Sequence, residues 1–309
     1  MDDELKSGVI KDPRSEEEKA RDYKHSDLAG AIVVNWMEKL RDEWKKYKSR
    51  YQDGSLSCVA QSVAKAVEVM TDKVMSAHPP YRSRSNYPEG GMYLKNLGEV
   101  GKKIGTTTEL LDISQWQNET QMNRDITVPT PTKIGGYLFP NFKSIDEIAQ
   151  AIEVSEHCIL IFHCNKDEWI DIPVFNGKEI DFGHCVCAVD YFIHEGKKVL
   201  LIEDSTGHQT SLSPDKNGQR LITEDFLSKR CSGAMYLTLG TPIPPYVFTK
   251  TLRYGMRGED VRQLQKKLGI TADGIFGKNT QSAVIAFQKL HGLTPDGICG
   301  KNTNKILNL

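Results

Sequence analysis

The chain has 309 residues, with 40 Lys and Arg against 41 Asp and Glu and a formal net charge of −1. This balance leaves no basic footprint for nucleic acid, and no apolar run is long enough for a membrane span. The length accommodates one domain of roughly 240 residues followed by a much smaller module.

Residues 1–28 read as a densely charged tail or surface strap, and Met1 to Lys6 has neither the basic region nor the apolar core of a secretory signal. Near Cys58 the polar, Gly-bearing stretch Gln52-Asp53-Gly54-Ser55-Leu56-Ser57 runs into Val59, Val63, Val67, Met70 and Val74 at helical spacing. Cys58 therefore heads a buried helix, where unpaired N–H groups and the macrodipole favour a thiolate nucleophile. A long polar, aromatic loop from Pro79 to Leu94 follows, with Gly90 and Gly91 able to admit a peptide backbone closely, and then a helix from about Leu94 to Lys103. Cys158 to Phe162 reads as a strand. His184 opens the first strand of a hairpin that turns at His194 to Lys198, and Asp204 closes the second. Antiparallel pairing puts His184 and Asp204 at one end of that hairpin, as a carboxylate-oriented general base requires. A last strand covers Ala234 to Leu239.

The other cysteines (Cys158, Cys164, Cys185, Cys187, Cys231 and Cys299) lack such a setting, and Cys185 and Cys187 alternate along a strand as small core hydrophobes. Seven cysteines, an odd number, fit synthesis in a reducing compartment. No metal or cofactor site is expected. Ser213, Asp215, Asn217, Gly218 and Glu224 mimic calcium-loop spacing, but Ser stands at the first position and no helix precedes it. His157, His163 and Cys164 lack zinc-type pairing.

Gln52, Cys58, His184 and Asp204 stand in the order and offsets of the papain-like cysteine peptidases, which the chain resembles from about residue 30 to 240. Ser205 and Gly207 match the residues that follow the family's Asn. The resemblance implies an α+β, two-lobed fold: a helical lobe headed by the Cys58 helix, an antiparallel β lobe carrying His184 and Asp204, and a cleft between. It implies that Cys58 attacks an amide carbonyl, His184 moves the proton, Asp204 orients the imidazole, and Gln52 with the Cys58 N–H stabilises the oxyanion. Gly90, Gly91 and Gly183 would line the substrate cleft. Asp204 departs from the family's Asn and adds a negative charge beside His184. Thr206 replaces a shielding Trp, so the site is expected to be wetter or shielded in another way. Leu56 removes half of a typical disulfide, and the chain has no room for the family's long inhibitory prosegment.

After the Pro-rich linker 241–249, Asp273-Gly274-Ile275-Phe276-Gly277-Lys278-Asn279-Thr280 recurs as Asp296-Gly297-Ile298-Cys299-Gly300-Lys301-Asn302-Thr303. Each copy is a Gly-rich turn entering a helix, with Thr or Asn expected as the cap. Amphipathic helices run through Val261, Leu264 and Leu268 and through Ala283, Val284, Ala286, Phe287 and Leu290. Residues 250–309 thus resemble the peptidoglycan-binding domain of cell-wall hydrolases.

Together the two resemblances imply a cell-wall lytic cysteine hydrolase of the phage endolysin kind, with bacterial peptidoglycan as partner, made in the host cytoplasm and acting after release. The domains would be a tail at 1–28, a peptidase at 29–240, a linker at 241–249 and the binding module at 250–309. A smaller amidase of the CHAP type, a protease of protein substrates, and a structural wall-binding phage or tail protein without activity are the alternatives. The bond cut, the host wall and the oligomeric state are not read from these residues.

Overall fold

The computed structural model describes residues 8–10, 12–19, 22, 34–37, 49–125, 131–207, 218–239 and 250–307. The linker at 241–249 and the Ser213 to Asn217 part of the calcium-like loop lie outside these. The described residues fall into two compact units, one ending at residue 239 and the other starting at 250.

The larger unit is α+β. Helix α1 (Cys58–Thr71) is buried nearly all round, with Val59, Val63 and Val67 on its apolar stripe. Its buried Lys65 and Glu68 pair with each other at 3.0 Å. The helix ends one turn earlier than the periodicity predicts. Asp72 takes the left-handed conformation (φ 57°) and returns its N–H to Glu68 O, so Val74 lies beyond the end and is exposed. Helix α2 (Leu94–Lys103) has the predicted bounds, and α3 (Ile145–Ser155) is capped by Ser144, whose side chain accepts from the Glu147 N–H.

Six strands form one antiparallel sheet: β1 (Gly136–Leu138), β2 (Cys158–Cys164), β3 (Phe182–His194), β4 (Lys197–Glu203), β5 (Gln219–Thr223) and β6 (Cys231–Thr238). Their order is β1-β6-β2-β3-β4-β5, with helix α4 (Glu224–Arg230) joining β5 to β6. Because side chains alternate along a strand, Cys185, Cys187 and Val189 of β3 share the core cluster with α1. All seven cysteines are free thiols. The β3–β4 hairpin turns at Glu195 and Gly196, both at positive φ. Cys187 pairs with Glu203 beyond a register shift, so β3 runs past the end of β4 and carries His184 to the level of Asp204.

The smaller unit holds α5 (Glu259–Lys267), α6 (Lys278–Leu290) and α7 (Lys301–Leu307) around a core that includes Leu252, Val261, Leu264, Phe276, Val284, Cys299 and Leu307. Leu252 and Cys299 exchange main-chain hydrogen bonds of 3.0 and 2.8 Å, closing the module end to end. The repeat extends to individual bonds. Gln265 Nε2 donates to Asp273, Ile275 O and Thr280 while its Oε1 accepts from Gly274 N. Gln288 does the same with Asp296, Ile298 O, Thr303 and Gly297 N. The expected Thr or Asn caps are not what forms in the first copy: Gly277 occupies the N-cap of α6 and Thr280 lies inside the helix, bonded to Gln265.

Candidate active site

The loop entering α1 is tied to the segment that leaves β4. Tyr51 bridges to Thr206, and Gln52 N donates to Ser205 O at 2.9 Å. Asp53 and Gly54, both at positive φ, turn the chain back toward the helix. The Gln52 side chain is held at both ends. Its Oε1 accepts from the Ser205 hydroxyl at 2.7 Å and its Nε2 donates to Ser55 O at 2.9 Å. An amide nitrogen carries two N–H groups, so one is left for another acceptor. Arg50 secures the loop from beneath: it is buried and reaches Gln61 at 2.8 Å, Glu68 at 3.2 Å and Ser114 at 3.1 Å.

His184, on β3 and paired with Phe162 of β2, is buried. Its Nε2 donates to Asp204 Oδ1 at 2.8 Å. Nδ1 is thereby left for Cys58, with which the ring also hydrogen-bonds. Burial alone would lower the imidazole pKa, but the Asp204 charge and hydrogen bond, with Cys58, push it up to about 10. Burial would raise the Asp204 carboxyl, yet His184 and then Arg220 hold it well below the usual carboxylate range. Cys58, His184, Asp204 and Gln52 therefore meet at one place. Gly183 sits beside them in β3, paired with His163 of β2.

Two departures from the expected pattern have structural answers. Leu56 lies against Gly90, where any Cβ would overlap the Leu56 side chain. The Leu56 N–H donates to Glu119 at 2.8 Å, and Tyr81 Oη donates to the same carboxylate at 2.7 Å. Apolar contact and a carboxylate thus join the loop before Cys58 to the Gly90–Gly91 loop without a disulfide. In place of a Trp at Thr206, Trp169 stands edge-on to the His184 ring with centroids 5.8 Å apart, and its Nε1 donates to Asp204 Oδ2 at 2.9 Å. No sequence pattern announced Trp169. Arg220, also bonded to Asp204, precedes the apolar pair Leu221-Ile222 and carried no motif either.

The charged tail does more than cover surface. Val9 pairs in parallel with Met92, Met92 N donates to Gly8 O at 3.0 Å, and Ile10 N donates to Met92 O at 3.1 Å. This extended segment crosses Cys58 so closely that a Cβ on Gly8 would stand 2.5 Å from its Sγ and 2.8 Å from Leu56 O. Gly91, at φ 82°, meets the Gly8 carbonyl in the same way. Cys58 is fully buried. Further along, Arg14 pairs with Asp12 and Asp22, and Asp22 with Lys95 of α2.

The larger unit has the papain-like fold. Xylellain, a cysteine protease from Xylella fastidiosa, superposes with a TM-score of 0.59 at 14% identity, covering 76% of this chain and 96% of that one. Digestive procathepsin L 3 of Tenebrio molitor larval midgut gives 0.53 at 14% identity over 71% and 76%. The bromelain protease from Ananas comosus gives 0.50 at 16% identity over 63% and 97%. Residues 257–307 match the peptidoglycan binding domain family. No curated protein matches the sequence. The papain-like unit and the peptidoglycan-binding match agree with the fold and the pairing of parts that the motifs implied.

The histidines considered for zinc are engaged otherwise. His157 accepts from Leu237 N at 3.0 Å through Nε2, and burial lowers its pKa to about 4. His163 Nδ1 bonds the Ser232 hydroxyl at 2.7 Å. Among the described residues no group of His, Cys, Asp and Glu is arranged to hold a metal, and no helix is long and apolar enough to cross a membrane.

Proposed function

We propose that this protein is a cysteine endopeptidase of the bacterial cell wall, cutting peptide bonds in the peptidoglycan stem or cross-bridge and held there by its carboxy-terminal module. The observation that carries the reading is the extended main chain at Gly8 to Ile10, seated by β-type hydrogen bonds on Met92 and passing directly over Cys58. A groove that takes one extended peptide across a thiol backed by His184 and Asp204 suits another.

In the proposed reaction the Cys58 sulfur bonds to the scissile carbonyl carbon after its proton has passed to His184. The carbonyl electron pair moves onto oxygen, where the Gln52 amide and the Cys58 N–H accept the charge. Collapse breaks the C–N bond, His184 gives its proton to the leaving amine, and a thioester remains. Water then adds with His184 as base, releasing the acid and restoring the thiol. The amino-terminal segment must leave the cleft first, since it occupies the substrate's place.

The match at residues 257–307 supports wall peptide as the substrate over proteins in general. A groove of ≈ 660 Å³ beside the first repeat, bordered by Gln265, Thr271, Asp273, Lys278 and Asn279, offers polar groups to a wall fragment. In keeping with the phage endolysin resemblance, the enzyme would be made in a host cell and reach the wall on release. Digestion of purified peptidoglycan by the wild type and Cys58→Ala tests the proposal. New amino termini from the wild type only are expected; null digests by both proteins, also after removal of residues 1–10 and with wall binding kept, would leave a binding protein.

A further inference from the structure

Asp204 is bonded through both of its oxygens. Oδ1 meets His184 at 2.8 Å and accepts from the Thr206 N–H and hydroxyl, both at 2.9 Å. Oδ2 accepts from Trp169 Nε1 at 2.9 Å and from Arg220 Nε at 2.7 Å. Arg220 stands on β5, opposite Ile202 of β4, with its side chain 3% exposed against 0% for Asp204. Its guanidinium also lies over the Trp169 ring, 5.2 Å from the centroid. Asp204 is the one carboxylate it pairs with among the described residues.

A buried carboxylate facing an imidazole can do too much. With no other cation, it holds the proton on the ring and opposes its transfer to a leaving amine, and as a buried charge it is costly. We propose that Arg220 is a positioning residue for the reaction: its guanidinium offsets the Asp204 charge and, with the Trp169 indole, fixes the carboxylate so that Oδ1 meets His184. Arg220 thereby weakens, without cancelling, the hold of Asp204 on the His184 proton. This rests on the catalytic reading of Cys58 and His184.

The groups around His184 are few. Cys58 faces it from α1, Asp204 from the end of β4, Trp169 and Phe182 with their rings, and Phe162 stands opposite it on β2. Cys185 lies beside Cys58. Glu203 bonds Ser49 and Gln219, and Lys65 pairs with Glu68. Arg220 is thus the cation placed to balance Asp204.

The experiment uses the full chain and reads the pH dependence of Cys58 alkylation by iodoacetamide, by mass spectrometry of the Cys58 peptide, with thermal melts alongside. Wild type, H184A, R220M, R220K, D204N and D204N/R220M are compared. R220M is expected to move the alkaline limb upward by about one pH unit, the scale of a neighbouring charge, and R220K to restore most of that shift. D204N/R220M is expected to lie within about twofold of D204N at every pH, because no carboxylate charge is left to offset. An R220M profile superposing on wild type, or an equal effect of R220M with and without D204N, overturns the proposal. Should R220M not fold, a folded D204N/R220M with the D204N profile supports it, and an unfolded one overturns it. A wild-type profile identical to that of H184A would instead sink the catalytic reading itself.

Discussion

Gly8→Ala probes how the amino-terminal segment closes the cleft. The added Cβ would stand 2.5 Å from Cys58 Sγ and 2.8 Å from Leu56 O, about 1 Å inside normal contact. The segment is held by two main-chain hydrogen bonds to Met92, about 1 kcal/mol each, and by burial of Val9, about 2 kcal/mol. Ordering three residues of backbone costs about 3–5 kcal/mol. The two sides nearly cancel, so closure is marginal and small losses show. If relief of the overlap loosens the bond from Met92 N to Gly8 O, about 1–2 kcal/mol is lost and the ratio of open to closed forms rises about 5- to 30-fold. Alkylation of Cys58 by iodoacetamide reads this directly, since the other six cysteines are buried and Cys58 is covered by the segment. A rate that rises above that of the wild type and approaches the rate given by removal of residues 1–10 is the expected result. Equal rates for wild type, Gly8→Ala and the truncated chain would refute the covering role.

The raised His184 contributes stability that is complete below its unfolded value of about 6.5 and is lost as pH climbs through about 10. The depressed Asp204 contributes stability that is complete above about pH 4 and is lost as pH falls toward its lower folded value. Melting temperature should therefore hold between about pH 4 and 6.5 and decline on the alkaline side, and His184→Gln should flatten that decline. Arg50→Met leaves the buried Glu68 with Lys65 alone and frees Gln61 and Ser114, and should cost about 1.5–3 kcal/mol in denaturant unfolding; a loss under 1 kcal/mol would mean the network contributes little. Gln265→Ala and Gln288→Ala should each raise hydrogen exchange across residues 257–307, with similar losses of about 2–3 kcal/mol because their bonds correspond one for one. Clearly unequal effects would argue against equivalent repeats.

Local pattern carried much of the fold. Val59, Val63 and Val67 foretold the buried helix, the apolar runs around His194 to Lys198 foretold the hairpin, and the Asp-Gly-Ile repeat foretold a module of two like turns. What escaped depends on contacts across the chain. Val74 kept the helical period but followed a left-handed Asp72, a conformation that hydrophobic spacing does not encode. Thr280 looked like a cap, but its hydroxyl is taken by Gln265, fifteen residues earlier. Gly8 lay in a charged tail with no period, and only pairing with Met92 gives it meaning. Trp169 and Arg220 reach Asp204 from a loop and from β5, so the site's shielding and its charge balance came from segments with no motif of their own.

If Cys58 is the nucleophile of a wall-peptide hydrolase, every cut requires its sulfur. Mass spectrometry of peptidoglycan digested by the truncated wild type and truncated Cys58→Ala tests it most directly. New peptide termini released by the wild type and absent with the variant are predicted. Identical fragment patterns from the two proteins would contradict the claim.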